Sequence, residues 1–104
     1  SKPGATIEGA LEGLVAAARA RDKWGVAHFL ARDCSGEFAT FKKMEADDAA
    51  WGRFFSVCAS MRAVVTQTGS ERATVMATVI REEERESYAI RLVLEDGEWK
   101  LLEK

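Results

Sequence analysis

The chain reads as one α+β domain in which three N-terminal helices pack against a curved four-stranded antiparallel meander. Three observations carry that reading. Apolar residues recur at helical spacing from Ile7 to Met61, they alternate from Arg62 onward, and clusters of turn formers cut the alternating part into four strands. With 104 residues, 47% of them hydrophobic, there is material for one core in a single domain over residues 1–104 and no room for a second.

Thr6 is placed to cap a first helix that carries Ile7, Leu11, Leu14, Val15 and Ala18 on one face and runs to about Arg21. Gly9 and Gly13 lie four apart on it, and each costs about 1 kcal/mol relative to Ala. They therefore mark a face where a packed neighbour, another backbone or a ligand comes close. Asp22 caps a short second helix with Trp24, Val26, Phe29 and Leu30, which breaks at Asp33, Cys34, Ser35 and Gly36. A third helical region opens with Phe38, Phe41 and Met44. After Asp47 and Asp48, which read as helix-start chemistry, it widens into Trp51, Phe54, Phe55, Val57, Cys58 and Met61.

The strand turns are Thr68-Gly69-Ser70, Glu83-Glu84-Arg85 and Asp96-Gly97. Asp-Gly suits a two-residue type I′ turn, which sets Leu94 opposite Trp99 and Leu92 opposite Leu101. A two-residue loop at Glu84-Arg85 sets Val79 opposite Ile90, Ala77 opposite Leu92 and Val75 opposite Leu94. An odd loop there turns the other side of the second strand inward. One face then carries Ala73, Val75, Ala77, Val79, Tyr88, Ile90, Leu92, Leu94, Trp99 and Leu101. The opposite face carries Thr74, Met76, Thr78, Ile80, Ala89, Arg91, Val93, Lys100 and Leu102, too apolar a set for a plain solvated surface.

Several function classes are excluded by composition. The 15 Lys and Arg stand against 17 Asp and Glu, a net charge of -2 with both signs interspersed, and this gives no basic footprint for a nucleic acid. No apolar stretch approaches the ~20 residues of a membrane span. The charge run from Arg81 to Glu86 reads as a solvated hairpin loop, and no carboxylates stand at metal-ligand spacing, so neither a metal nor a cofactor is expected. Cys34 and Cys58 lack zinc spacing and read as two buried thiols, or as one bridge in an oxidising compartment. The start Ser-Lys-Pro-Gly-Ala, with no initiator Met and no apolar signal region, reads as a piece processed or excised from a longer chain. The compartment, cytoplasmic or extracytoplasmic, stays open.

Two segments carry a family likeness: Thr6-Ile7-Glu8-Gly9-Ala10-Leu11 running into Ala20-Arg21-Asp22-Lys23-Trp24, and the closing hairpin Leu92-Val93-Leu94-Glu95-Asp96-Gly97-Glu98-Trp99-Lys100-Leu101. With three helices before a meander, nearly the whole chain resembles the nuclear transport factor 2-like superfamily, also called the cystatin-like cone fold. The short form looks most like bacterial lipoprotein or membrane-anchored accessory domains. The chain has Ala-Arg-Asp before the aromatic residue where members commonly have Gly-Asp. The resemblance implies a sheet wrapped around the third helix, a pocket at the open end of the cone, and dimerisation through the outer sheet face. Isomerases, dehydratases, hydrolases and binding modules share such folds, so function rests on the site.

Within that frame, small Ala73 and Ala77 beside large neighbours leave room for an apolar ligand lined by Trp51, Phe55, Cys58, Val79, Tyr88, Ile90 and Trp99. The same side chains filling a solid core is the other reading. His28, the sole histidine, has a reference pKa of ~6.5 and is a general-base candidate. Together with Asp33 and Tyr88 it forms the acid-base set of an alternative reading as a small enzyme. A surface or capping role is the plainer account of His28. On the outer face, Met76, Ile80, Val93 and Leu102, bordered by Arg91, make an apolar strip of the kind that marks protein contact, in a homodimer or with another partner. The expectation is a non-enzymatic binding or interaction module.

Overall fold

The computed structural model describes residues 2–104. A 3-10 turn at Pro3–Ala5 leads into α1 (Ile7–Arg19), α2 (Lys23–His28), α3 (Glu37–Lys42) and α4 (Asp48–Ala59). There follow β1 (Arg62–Thr68), β2 (Arg72–Arg81), β3 (Glu84–Glu95) and β4 (Glu98–Glu103). The strands form one antiparallel sheet in the order β1-β2-β3-β4, curved and not closed, so the α+β class is borne out. No helix among the described residues is long and apolar enough to cross a membrane.

The helix starts follow from side-chain caps. Thr6 Oγ1 accepts from the Gly9 N–H at 2.9 Å, Asp22 Oδ1 from Gly25 at 3.0 Å and Asp47 Oδ1 from Ala50 at 2.8 Å. The third helical region is two helices rather than one, because Met44 takes a left-handed φ of 59° that stops α3 before Asp47 restarts the chain as α4. α1 ends at Arg19, short of Arg21, whose φ of 55° is likewise left-handed. Phe29 and Leu30 lie beyond α2 but still reach the core, whereas Trp24 points outward and is 75% exposed. The glycines of α1 mark close packing. A Cβ on Gly9 would lie 2.2 Å from the Pro3 carbonyl oxygen, and one on Gly13 2.5 Å from the Phe29 ring.

The core sits between the helices and the inner face of the sheet. Ile7, Ala10, Leu14 and Ala18 of α1 and Trp51, Phe54 and Phe55 of α4 cover Val75, Ala77, Val79, Ile90, Leu92 and Leu101, all buried. The last hairpin has the expected register, Leu94 opposite Trp99 and Leu92 opposite Leu101, with Asp96 and Gly97 both at positive φ.

The β2–β3 register differs from the expected one. The turn falls at Glu82 and Glu83, at φ 52° and 69°, so Val75 faces Ile90, Ala77 faces Tyr88, Ala73 faces Leu92 and Val79 faces Glu86. Each partner moves by four residues, an even number, and the assignment of faces survives. This register sets small against large side chains on the inner face. On the outer face it brings Thr78 Oγ1 within 2.9 Å of Ser87 Oγ.

The two edges of the sheet are treated differently. Beside β4, the Leu101 N–H donates to the Phe29 carbonyl at 2.8 Å, and Ala31 N–H donates to the Leu101 carbonyl at 2.8 Å, a short parallel bridge that covers this edge. Among the described residues, the backbone of β1 is hydrogen-bonded to β2 alone.

Candidate functional site

Of the residues expected to line a pocket, Trp51, Phe55, Cys58, Val79, Ile90 and Trp99 are buried and Tyr88 is partly buried. Trp51 is 1% exposed and sits among rings: its centroid is 5.0 Å from that of Phe41 and 5.2 Å from that of Phe55, while Phe41 stacks on Phe54 at 4.0 Å. Cations close the outside of this cluster, with Arg21 5.3 Å from the Phe55 centroid and Lys23 5.9 Å from that of Trp51. Val79, Ile90 and Trp99 are buried in the same core. Cys34 and Cys58 are free buried thiols, and burial pushes Cys58 up to about 12, with the charge of Glu37 adding to the effect. At pH 8 an aromatic disulfide reagent is therefore expected to leave Cys58 unmodified in the native chain and to label it once urea unfolds the domain. Rapid labelling of the native chain would contradict that burial.

The acid-base candidates occupy different places. No hydrogen bond or ion pair joins any two of His28, Asp33 and Tyr88 among the described residues. Tyr88, on β3, is half-buried under Lys104, whose Nζ is 4.8 Å from the ring centroid; burial raises its hydroxyl above the ordinary value against the pull of that cation. Asp33 lies on the α2–α3 connection, at a concavity of about 650 Å³ that also holds Val93 and Leu102.

His28 has partners that sequence reasoning missed. Its Nε2 is 2.5 Å from Glu98 Oε2, and Lys100 Nζ lies 3.6 Å from the same carboxylate oxygen. Lys100 also donates to the His28 carbonyl, at the C-terminal end of α2 where a cation complements the helix dipole. Glu98 and Lys100 are buried, which corrects the expectation that Lys100 borders an exposed face. Gly4 makes this possible, since a Cβ there would come within 2.9 Å of Glu98 Cβ, and the bare backbone of the N-terminal turn lies over the glutamate. Desolvation opposes ionisation of Glu98. The hydrogen bond and charge of His28, and then Lys100 and Lys2, outweigh it and hold the carboxyl below its ordinary value. Burial likewise lowers Lys100, against the attraction of Glu98. The cluster clips α2 to β4 across 70 positions of sequence. The only signal for it is the alternation Glu98-Trp99-Lys100-Leu101, which any half-solvated strand would also show.

The outer sheet face bears three of the four large exposed apolar side chains among the described residues, the fourth being Trp24 of α2. Val64 is 69% exposed, Ile80 50% and Met76 42%. Register sets Val64 beside Met76 and Met76 beside Ala89, an apolar row across β1, β2 and β3. Arg91, also exposed, is ion-paired with Glu103 at 3.0 Å at the border. Of the expected contact residues, Met76, Ile80 and Arg91 are exposed, whereas Val93 and Leu102 are partly buried in the concavity beside Asp33. Val64 joins the row without having been anticipated, because the alternation of β1 was not assigned to a face. No group of three or more potential metal ligands occurs among the described residues.

Compared with known proteins, the chain matches no family model, no curated protein and no solved structure.

Proposed function

We propose that the chain is a non-enzymatic interaction module of the nuclear transport factor 2-like kind, which dimerises through the outer face of its sheet. One observation carries this reading: Val64, Met76 and Ile80 are three large apolar side chains left in water on one face, where a monomer's outer sheet face would be polar. The tight packing of Trp51 and Phe55 supports a core role for the aromatic residues and so favours interaction over catalysis. A second copy suits the face because an isologous contact needs a patch that complements itself. Both charge signs stand at the border of the row, in Arg91 and Glu103. A stable contact of this kind takes about 800 Å² from each partner.

Met76→Lys with Ile80→Lys tests the reading, since both positions are exposed and tolerate a charge without disturbing the core. The expected outcome in sedimentation equilibrium is a dimer for the unaltered chain and a monomer for the double variant, with the same far-ultraviolet circular dichroism. A monomer for the unaltered chain at 100 µM, a concentration of the order at which weak dimers still form, would falsify the proposal.

A further inference from the structure

We infer that the free edge of β1 and the groove beside it on α1 take up an extended peptide segment of a partner protein as a fifth strand. The groove measures about 730 Å³, with Leu11 and Val15 of α1 and Met61 as its apolar floor and β1 as one wall. Its position follows from where the helix layer stops. On β2 the inward residues Val75 and Ala77 are completely buried, while their β1 neighbours Val65 and Ala63 stay partly open. α1 carries its core stripe in Ile7, Ala10, Leu11, Leu14 and Ala18, and Leu11 at the margin of that stripe meets the groove beside partly open Val15. An added strand would cover Val15, Ala63 and Val65, which are partly open.

Ahead of the bulge the edge carries few of the devices that usually keep strands apart, the one charge being exposed Arg62. Arg62–Val65 has no proline, no lysine and no inward charge, and the bulge between Val65 and Gln67 begins only after it. The opposite edge, at β4, is covered by the chain itself.

Charge specifies the occupant. Glu8, Glu12, Arg19 and Arg62 rim the groove, and none of them has an ion-pair partner among the described residues. Along α1 the sign passes from acidic at Glu8 and Glu12 to basic at Arg19 over about 16 Å at the helical rise. That is the length of about five extended residues. The segment that fits has apolar residues on alternate positions, a lysine or arginine at one end and a carboxylate at the other, with backbone hydrogen bonds giving affinity and the end charges giving orientation.

The test uses a fluorescein-labelled seven-residue peptide, lysine-valine-threonine-valine-threonine-valine-glutamate, followed by fluorescence anisotropy. The expected result is saturable binding that is abolished when the peptide amides facing β1 are N-methylated, a change that leaves the protein untouched. Glu8→Lys with Glu12→Lys is expected to weaken binding about tenfold, the scale of two exposed charge contacts, and a peptide with glutamate in place of the lysine is expected to restore it. Equal binding of the N-methylated peptide, or an unchanged affinity in the charge-reversed protein, overturns the proposal. So does a dimer that persists in the Met76→Lys, Ile80→Lys variant and dissociates on charge reversal at Glu8 and Glu12, because the occupant of the edge is then a second copy. The sheet face and the groove thus fail separately.

Discussion

Glu98→Leu is expected to lower the unfolding free energy by about 3 kcal/mol, while Glu98→Leu combined with Lys100→Met is expected to recover most of that loss. The single change leaves the buried Lys100 ammonium with the His28 carbonyl and no carboxylate. The double change removes both buried charges and fills the space with apolar groups of similar volume. Glu98 has two partners, His28 at the shorter distance but about half exposed and so partly screened, and Lys100 at 3.6 Å and buried. Urea unfolding of the four chains of the cycle measures this directly, and strictly additive losses would show that the two side chains act independently. The pH dependence has a definite sign. Because the folded-state carboxyl of Glu98 is held below its ordinary value, its contribution is complete above the unfolded value near ~4.3 and is lost as the pH falls through the folded value. The deficit of Glu98→Leu should therefore shrink as the pH falls below about 4, where the carboxyl protonates.

Trp51→Ala is expected to cost about 4 kcal/mol, the range for removing a large aromatic side chain from a packed core. Small domains have only ~5–15 kcal/mol in total, so this variant should be largely unfolded near 50 °C. The size of the loss distinguishes packing from pocket. Phe41, Phe54 and Phe55 all have ring contacts with Trp51, and truncation strips those contacts from three neighbours at once. If the indole lined an open cavity instead, its removal would enlarge a space already present and cost about 1 kcal/mol. Circular dichroism melts of Trp51→Ala beside Trp51→Phe, which keeps most of the ring contacts, decide between the two.

The parts of the fold legible in the sequence were those written in local chemistry. Thr6 and Asp22 are caps in the sequence and caps in the fold, Asp47 marks a helix start in both, and Asp96-Gly97 makes a turn whose positive φ angles only a few residue types accept readily. The β2–β3 turn was misplaced because it is made by Glu82 and Glu83, ordinary residues driven to positive φ by the pairing on either side of them. Its faces were right only because the displacement was even. Trp24 was assigned to an apolar stripe by spacing, yet a helix of six residues is too short for spacing to settle which side is inward. The buried Glu98 and Lys100 were out of reach for another reason. Their partner is a histidine 70 residues away, and burial of a charge depends on what tertiary structure brings over it, here the Gly4 backbone and the end of α2. Exposure at Met76 and Ile80 was legible from alternation alone, since it needs only a face to be named.

The strand-like bridge of Leu30 with Leu101 has a consequence for polymerisation. A sheet open at both edges can add subunits head to tail without limit, and that is how fibres grow. Here one edge is sealed by the chain that follows α2, so growth by strand addition has a single reactive end. Two such ends that meet consume each other, and the product is finite. The link between α2 and α3 thus acts as a chain terminator. Excising Ala31, or loosening its hydrogen bond to Leu101, is the change by which this domain would gain a second reactive end and become capable of forming filaments.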